Sequence, residues 1–263
     1  MYNSHMDTQK LHEIAQKMVA PGKGILAADE SMSTMGKRLE ALGIENSEEN
    51  RRAYRSMIIT APEIGNFISG VILFDETLRQ NADDGRTMVS VLESEGVMPG
   101  IKVDGGLYDM PDSPLEKLTK GFEGLPERLA EYAKLGAKFT KWRAVITIGD
   151  SSSSLGAGGL PTDANLRQNA KDLAAYAKAA QDAGLVPIVE PEVLMDGAHS
   201  IEACKDASTR ILTAIFEELK NAEVALDGMI LKTNMVLPGK KSGSTATPAE
   251  VADAICEAIA TEG

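Results

Sequence analysis

Histidine is almost missing from this chain: His5, His12 and His199 are the only three in 263 residues. None stands at metal-ligand spacing or at a strand end. A His-rich zinc site therefore lacks donors, and a Ser-His-Asp relay lacks a placed base. No metal is expected. Cysteine is as scarce. Cys204 and Cys256 lie in helical patterns without C-x-x-C spacing, which argues against a disulfide or a thiol metal pair and fits a reducing compartment, the cytoplasm. Positive charge is in deficit: 27 Lys and Arg stand against 39 Asp and Glu, a net charge of −12. That balance argues against nucleic acid and anionic membranes as partners, but a local basic pocket for a small anion remains open. No apolar run is long enough to span a membrane, and the N-terminus has no signal-peptide core. Gly-rich pieces at Ala20–Gly24 and Gly156–Gly159 match neither a dinucleotide fingerprint nor a P-loop, and no cofactor is expected. Ser4-His5-Met6 reads as a cloning scar, so residues 1–6 are set aside.

What is present is a repeating order. Apolar runs at Gly24–Ala28, Gly70–Phe74, Gly100–Asp104, Phe139–Ile146, Val186–Val189 and Met229–Lys232 read as six strands. Amphipathic stretches at Ser47–Thr60, Leu125–Leu135, Asn165–Ala183, Ile201–Leu219 and Pro248–Ala260 read as helices between or after them. Thr247, Pro248 and Glu250 predict a capped start for the last helix. Strand then helix, repeated, implies a parallel sheet with helical crossovers, and the length suits one α/β barrel domain. Ser151–Pro161 and Lys240–Thr247 read as loops.

Polar residues collect at one position in this repeat. Asp29-Glu30-Ser31, Asp75-Glu76, Lys102 and Asp104, Lys141 and Arg143, Glu190 and Glu192, and Lys232 each fall in or at the C-terminal end of a strand. In a parallel barrel those ends share the face that carries chemistry. Alternation puts Lys141 and Arg143 on one face, and likewise Lys102 with Asp104 and Glu190 with Glu192. Lys232 closes a run that reads as a buried strand, so its amine must leave water or find a partner. A lysine amine withdrawn from water is a nucleophile for carbonyls and can form a Schiff base. One carboxylate would move protons while a carbinolamine dehydrates, and a second would serve carbon–carbon cleavage. The remaining cations, Arg143, Lys102, Lys37 and Arg38, suit phosphate groups. A solvent-facing lysine at a strand end is the bland alternative for Lys232 alone.

These residues resemble the class I, Schiff-base fructose-1,6-bisphosphate aldolases. The matching stretches are Val19–Ser31, Glu48–Arg52, Gly70–Leu78, Gly100–Asp104, Lys141–Arg143, Val186–Glu192 and Leu231–Met235, in family order across nearly the whole chain. The resemblance implies a (β/α)8 TIM barrel, usually a homotetramer, that cleaves a phosphorylated sugar in glycolysis and gluconeogenesis. It implies that Lys232 forms the imine and Glu190 is its general acid and base. Asp29 acts in carbon–carbon cleavage, Lys141 stabilises intermediates, and Glu192 orients its neighbours. Lys102, Arg143, Ser31, Lys37 and Arg38 lie near the substrate or its phosphates.

The chain departs from the family pattern in places. Ser31-Met32-Ser33-Thr34 replaces Ser-Thr-Gly, Gly105 replaces a lysine, and Thr233 replaces a proline. Six strands are counted where the family has eight, so the last two strand–helix units, with a phosphate loop, are not found, and the expectation is a natural chain continuing past Gly263. The first and last strands would then be sheet edges. Two alternatives follow from the departures: a Schiff-base aldolase of shifted sugar-phosphate specificity, and a catalytically impaired paralogue that acts as a binding protein.

Overall fold

Each apolar run becomes a strand, and the helix that follows most of them returns the chain to the same end of the sheet. The structure is a computed structural model that describes residues 8–149 and 159–260. Its first half comprises α1 (Thr8–Met18), β1 (Gly24–Ala28), α2 (Met32–Glu40), α3 (Glu48–Ile59), α4 (Ile64–Phe67), β2 (Ile68–Leu73), α5 (Asp75–Leu78), α6 (Met88–Ser94) and β3 (Met98–Lys102). An excursion, β4 (Leu107–Met110) and β5 (Ser113–Thr119), precedes α7 (Leu125–Lys134) and β6 (Phe139–Ile146). Then follow α8 (Asp163–Asp182), β7 (Val186–Val193), α9 (Ile201–Asn221), β8 (Ile230–Leu231) and α10 (Pro248–Ala260).

Six strands form one parallel sheet in the order β1-β2-β3-β6-β7-β8, while β4 and β5 pair apart as an antiparallel hairpin. The sheet is that of a (β/α)8 barrel with six strands among the described residues, and β1 and β8 are its edges. The six expected strands are all present, as are the five expected helices. The helix at Pro248 starts as read: Thr247 Oγ1 accepts from the Glu250 amide at 3.3 Å, and Glu250 accepts from the Thr247 amide at 2.7 Å. One boundary needs correction. The strand read as Val186–Val189 runs on to Val193, with Glu190 opposite Arg143 and Glu192 opposite Val145. Pro191 and its two flanking carboxylates look like a strand stop, yet both carboxylates find cations and the ladder continues. Most of the loop read at Ser151–Pro161 lies outside the described residues.

The two faces of the sheet bury different cores. Val71, Leu73, Ile101, Val103, Trp142, Ala144, Ile146, Val189 and Val193 belong to the large cluster that also contains residues of α6 to α9. The alternate residues Ile72, Phe139, Val186 and Ile188, with Ile25 and Ile230, pack on Leu11, Ala15 and Met18 of α1. Helix α1, unforeseen in the sequence, thus plugs the N-terminal half of the inner face. Gly70 and Gly100 have a plain reason here: a Cβ would meet the Phe139 ring at 2.9 Å and 2.1 Å respectively. Two residues further along β1, β3, β6, β7 and β8, the same inward parity yields Ala27 then Asp29, Lys102, Lys141, Glu190 and Lys232. The inner face is apolar at one end and charged at the other.

Candidate active site

Register brings the charged ends together. Lys102 lies opposite Lys141, and Arg143 opposite Glu190. From there the side chains form a continuous charge chain. Lys141 Nζ donates to Asp29 Oδ2 at 2.8 Å and lies 3.2 Å from Glu190 Oε2, a charge contact without hydrogen-bond alignment. The other oxygen of Glu190, Oε1, accepts from Lys232 Nζ. Asp29, Lys141, Glu190 and Lys232 are therefore linked in that order across four strand ends.

The two lysines differ in their surroundings. Burial alone would push the Lys141 pKa down, but Asp29 and Glu190 more than offset it, and the pKa lies above its ordinary value. Lys141 is a fixed cation with 8% of its side chain exposed. Lys232 is 46% exposed at the end of the edge strand β8. Of the two outcomes the sequence left for its amine, loss of water or a partner, the structure gives the partner, Glu190.

A polar cleft of about 560 Å³ lies beside this chain, lined by Asp29, Glu30, Ser31, Ser33, Thr34, Arg38, Lys102, Asp104, Lys141 and Arg143, with Gly106 and Leu107 of the hairpin side. Ser31 caps α2, accepting from the Thr34 amide at 3.3 Å. Arg38 pairs with Glu30, and Arg143 with Glu192. Lys102 lies 2.6 Å from Asp104 Oδ1. Lys37 is not brought in. It precedes its neighbour Arg38 by about 100° around the helix and stands exposed, outside the cleft lining. Met32 is 41% exposed and outside the lining too, so the departure from the family pattern that faces the cleft is carried by Ser33 and Thr34. A second, more apolar cleft of about 360 Å³ opens between the edges, lined by Ile25 and Ala27 of β1 and by Ile230, Leu231 and Lys232. Ala27 lines both clefts.

Sequence reasoning missed the supports of this site. Arg55 of α3 is wholly buried under the end of β1, and Arg51 one turn earlier grips Glu76 with two bonds of 2.9 Å and 2.7 Å. Arg51, Arg55 and Ile59 share one buried helix stripe, and basic residues on such a stripe were the available signal. The hairpin was missed as well. It is pinned by Glu116, fully buried, which accepts from Ser113 Oγ at 2.8 Å, the Thr162 amide at 2.8 Å and Thr162 Oγ1 at 2.7 Å. Among the described residues no three His, Cys, Asp or Glu side chains gather into a group able to hold a metal ion.

The fructose-bisphosphate aldolase class-I family model matches residues 10–262. This chain belongs to the class I fructose-bisphosphate aldolase family. A relative from Xanthomonas campestris pv. campestris, named "Probable fructose-bisphosphate aldolase class 1", is 48% identical over 248 residues, which is 94% of this chain and 72% of that protein. Fructose-bisphosphate aldolase C-A of Danio rerio is 46% identical over 252 residues, 95% of this chain and 67% of its own length. Among solved structures, fructose-bisphosphate aldolase from Plasmodium falciparum, crystallised with TRAP and a small-molecule inhibitor, superposes with a TM-score of 0.91 at 44% identity, covering 96% of this chain and 71% of that one. The aldolase is a lyase of glycolysis, and its substrate is a phosphorylated sugar. Family and relatives favour this activity over a binding protein or a shifted specificity.

Proposed function

We propose that this aldolase cleaves fructose 1,6-bisphosphate through an imine on Lys232, with Glu190 as proton carrier and Asp29 as the base for cleavage. The observation that carries the reading is the pair of contacts on one carboxylate: Glu190 touches Lys232 through Oε1 and Lys141 through Oε2. Glu190 takes a proton from the Lys232 ammonium, and the freed lone pair attacks the C2 carbonyl of the open-chain sugar. The ammonium–alkoxide so formed passes one proton from nitrogen to oxygen to give the carbinolamine; Glu190 then gives its proton to the hydroxyl, which leaves as water, and the C2–N iminium remains. Asp29 accepts the proton of the C4 hydroxyl as the C3–C4 bond breaks. The bond's electron pair moves into the iminium, glyceraldehyde 3-phosphate departs, and an enamine is left. Protonation at C3 and hydrolysis by water release dihydroxyacetone phosphate and restore Lys232. Lys141 stays charged beside Asp29 and Glu190 throughout and steadies the negative charge they carry.

Lys102, Arg143, Arg38 and Ser31 line the polar cleft, and the three cations would receive a phosphate in exchange for their carboxylate partners, with the Ser31 hydroxyl beside them. Glu192 would hold Arg143 in place. Lys37 remains a peripheral cation for the same phosphate, adding field without contact. The two thiols are free, which supports a cytoplasmic setting, and the family resemblance supports a homotetramer of single-domain barrels. Borohydride added with substrate tests the core of the reading. One reduced adduct per chain, on the peptide carrying Lys232, is expected; an adduct on Lys141 or Lys102 would sink it.

A further inference from the structure

Asp29 has one feature that the charge chain does not explain, which is how its backbone is held. β1 is an edge strand, and the turn after it passes into α2 through Asp29, Glu30 and Ser31. Arg55 reaches this turn from the middle of α3 with its side chain fully buried. Its Nε donates to the carbonyl of Ala28 at 3.2 Å, and its Nη2 donates to the carbonyl of Glu30 at 2.8 Å. The Ala28 carbonyl belongs to the peptide that enters Asp29, and the Glu30 carbonyl to the peptide that leads out of the Asp29-Glu30 turn into Ser31. A guanidinium is planar, and its donors sit in a fixed fork. Two bonds from one rigid group therefore hold the turn at both ends, at the peptide plane entering Asp29 and at the one leaving Glu30, and so restrict the direction of the Asp29 Cα–Cβ bond between them.

The rest of the Arg55 environment serves to keep that fork in place. Its charge is met by Glu30 Oε2 at 3.7 Å and Glu76 Oε1 at 3.8 Å. Its guanidinium carbon lies 5.7 Å from the centre of the Phe74 ring. Arg51 holds Glu76 through two bonds, and Arg38 holds Glu30. Packing alone does not call for a charge here. Ile59, one turn further along the same stripe, shows that an apolar side chain holds this face of α3 against the core. A buried guanidinium carries a desolvation penalty that an apolar residue would avoid. What it adds is the two-point grip.

We propose that Arg55 is the positioning residue for Asp29: it sets the carboxylate against Lys141 and the cleft, and so acts on the bond-cleavage step without touching substrate. The proposal rests on the role given to Asp29 above. Arg55→Lys is the informative variant. It keeps a positive charge facing Glu30 and Glu76 but replaces the fork by a single ammonium. Turnover of fructose 1,6-bisphosphate should fall on the order of 10²-fold, the scale of a misplacement near 1 Å. KM and the rate of borohydride trapping at Lys232 should stay close to those of the parent protein, because imine formation uses Glu190 and not Asp29. Should Arg55→Lys not fold, Arg55→Met combined with Glu76→Gln, which removes charge of both signs together, is read the same way. Undiminished turnover in a folded variant would overturn the proposal. So would turnover and trapping that fall in equal proportion, since that marks a purely structural role. Asp29→Asn, measured alongside, separates the two levels. Full cleavage by Asp29→Asn overturns the role of Asp29 itself, whereas an inactive Asp29→Asn beside a fully active Arg55→Lys overturns only the grip.

Discussion

Lys141 and Lys232 share one carboxylate, Glu190, and differ in almost everything else. Lys141 sits in the middle of the sheet on an eight-residue strand with neighbours on both sides, and 8% of its side chain is exposed. Lys232 follows a two-residue strand at the edge, and 46% of its side chain is exposed. Two carboxylates face the first lysine and one faces the second. A buried lysine between two carboxylates has nothing to gain by giving up its proton, so it serves as a permanent charge. An accessible lysine with one carboxylate can hand its proton over and be reached by a carbonyl. On the proposed roles, the number of carboxylates around each amine, not residue type, divides the labour.

The sharpest break of this comparison is to remove each amine in turn. Lys232→Met should abolish the borohydride adduct and cleavage together while leaving the fold, since methionine keeps most of the apolar stem. Lys141→Met should lower turnover yet still permit an adduct on Lys232. If Lys141→Met were the variant that lost the adduct, the assignment of roles would be reversed. Next in size is the shared partner. Glu190→Gln keeps the shape and removes the proton carrier, so kcat should drop at least ~10²-fold with little change in KM. A change confined to KM would reduce Glu190 to a binding residue.

The same contrast explains what could be read before folding and what could not. The strands that carry the site were legible because inward apolar residues alternate with outward ones and end in charge, as in Phe139, Lys141 and Arg143. The joining of Asp29, Lys141, Glu190 and Lys232 was legible only as a set of strand ends; which carboxylate would hold which lysine depends on parallel register, which no single strand states. The length of the last strand was less legible: Gly228–Val236 reads as one apolar run, whereas the ladder ends with the Lys232 amide. Arg55 was invisible because its worth lies in two backbone carbonyls 25 and 27 residues away. Leu107–Thr119, with its mixed charge and apolar content, does not alternate cleanly enough to announce a hairpin.

Stability measures the comparison in a second currency. Removing Lys141 takes the paired cation from the buried Asp29 and leaves Glu190 with Lys232 alone, a loss expected at roughly 3–5 kcal/mol. Removing the half-exposed Lys232 should cost about 0–1 kcal/mol. Denaturant melts of the two methionine variants would show it, and equal midpoints would contradict the burial argument. The pH dependence has a definite sign. The folded pKa of Lys141 is raised above the ordinary 10.5, so its contribution is complete below that value and is lost as pH climbs through the higher folded one. The gap between parent and Lys141→Met should hold steady across neutral pH and close only on the alkaline side; a gap that closed on acidification to mildly acidic pH would point to the carboxylates instead.

The smallest expected effect concerns how an edge lysine is aimed at all. Past Leu231 the backbone ladder has one more bond, from the Lys232 amide to the Val189 carbonyl at 2.9 Å. The next tie to β7 comes from a side chain: Asn234 Oδ1 accepts from the Val193 amide at 3.2 Å, while its Nδ2 donates to Ser208 Oγ at 3.2 Å and to the Met235 carbonyl at 3.0 Å. Asn234 therefore stands in for the strand that β8 does not continue, and fastens the segment carrying Lys232 to β7 and α9. Asn234→Leu keeps the bulk and removes these three bonds together with the weak one from Nδ2 to Cys204 Sγ at 3.9 Å. A lost hydrogen bond is worth about 1–1.5 kcal/mol, and if that falls on the placement of Lys232 the trapping rate drops about tenfold. Asn234→Asp keeps the acceptor for Val193, and the Ser208 hydroxyl can turn to donate, so this variant should recover most of the rate. An Asn234→Leu variant that traps as fast as the parent would mean that Glu190 alone aims the lysine, and that the edge needs no more support than its one ion pair.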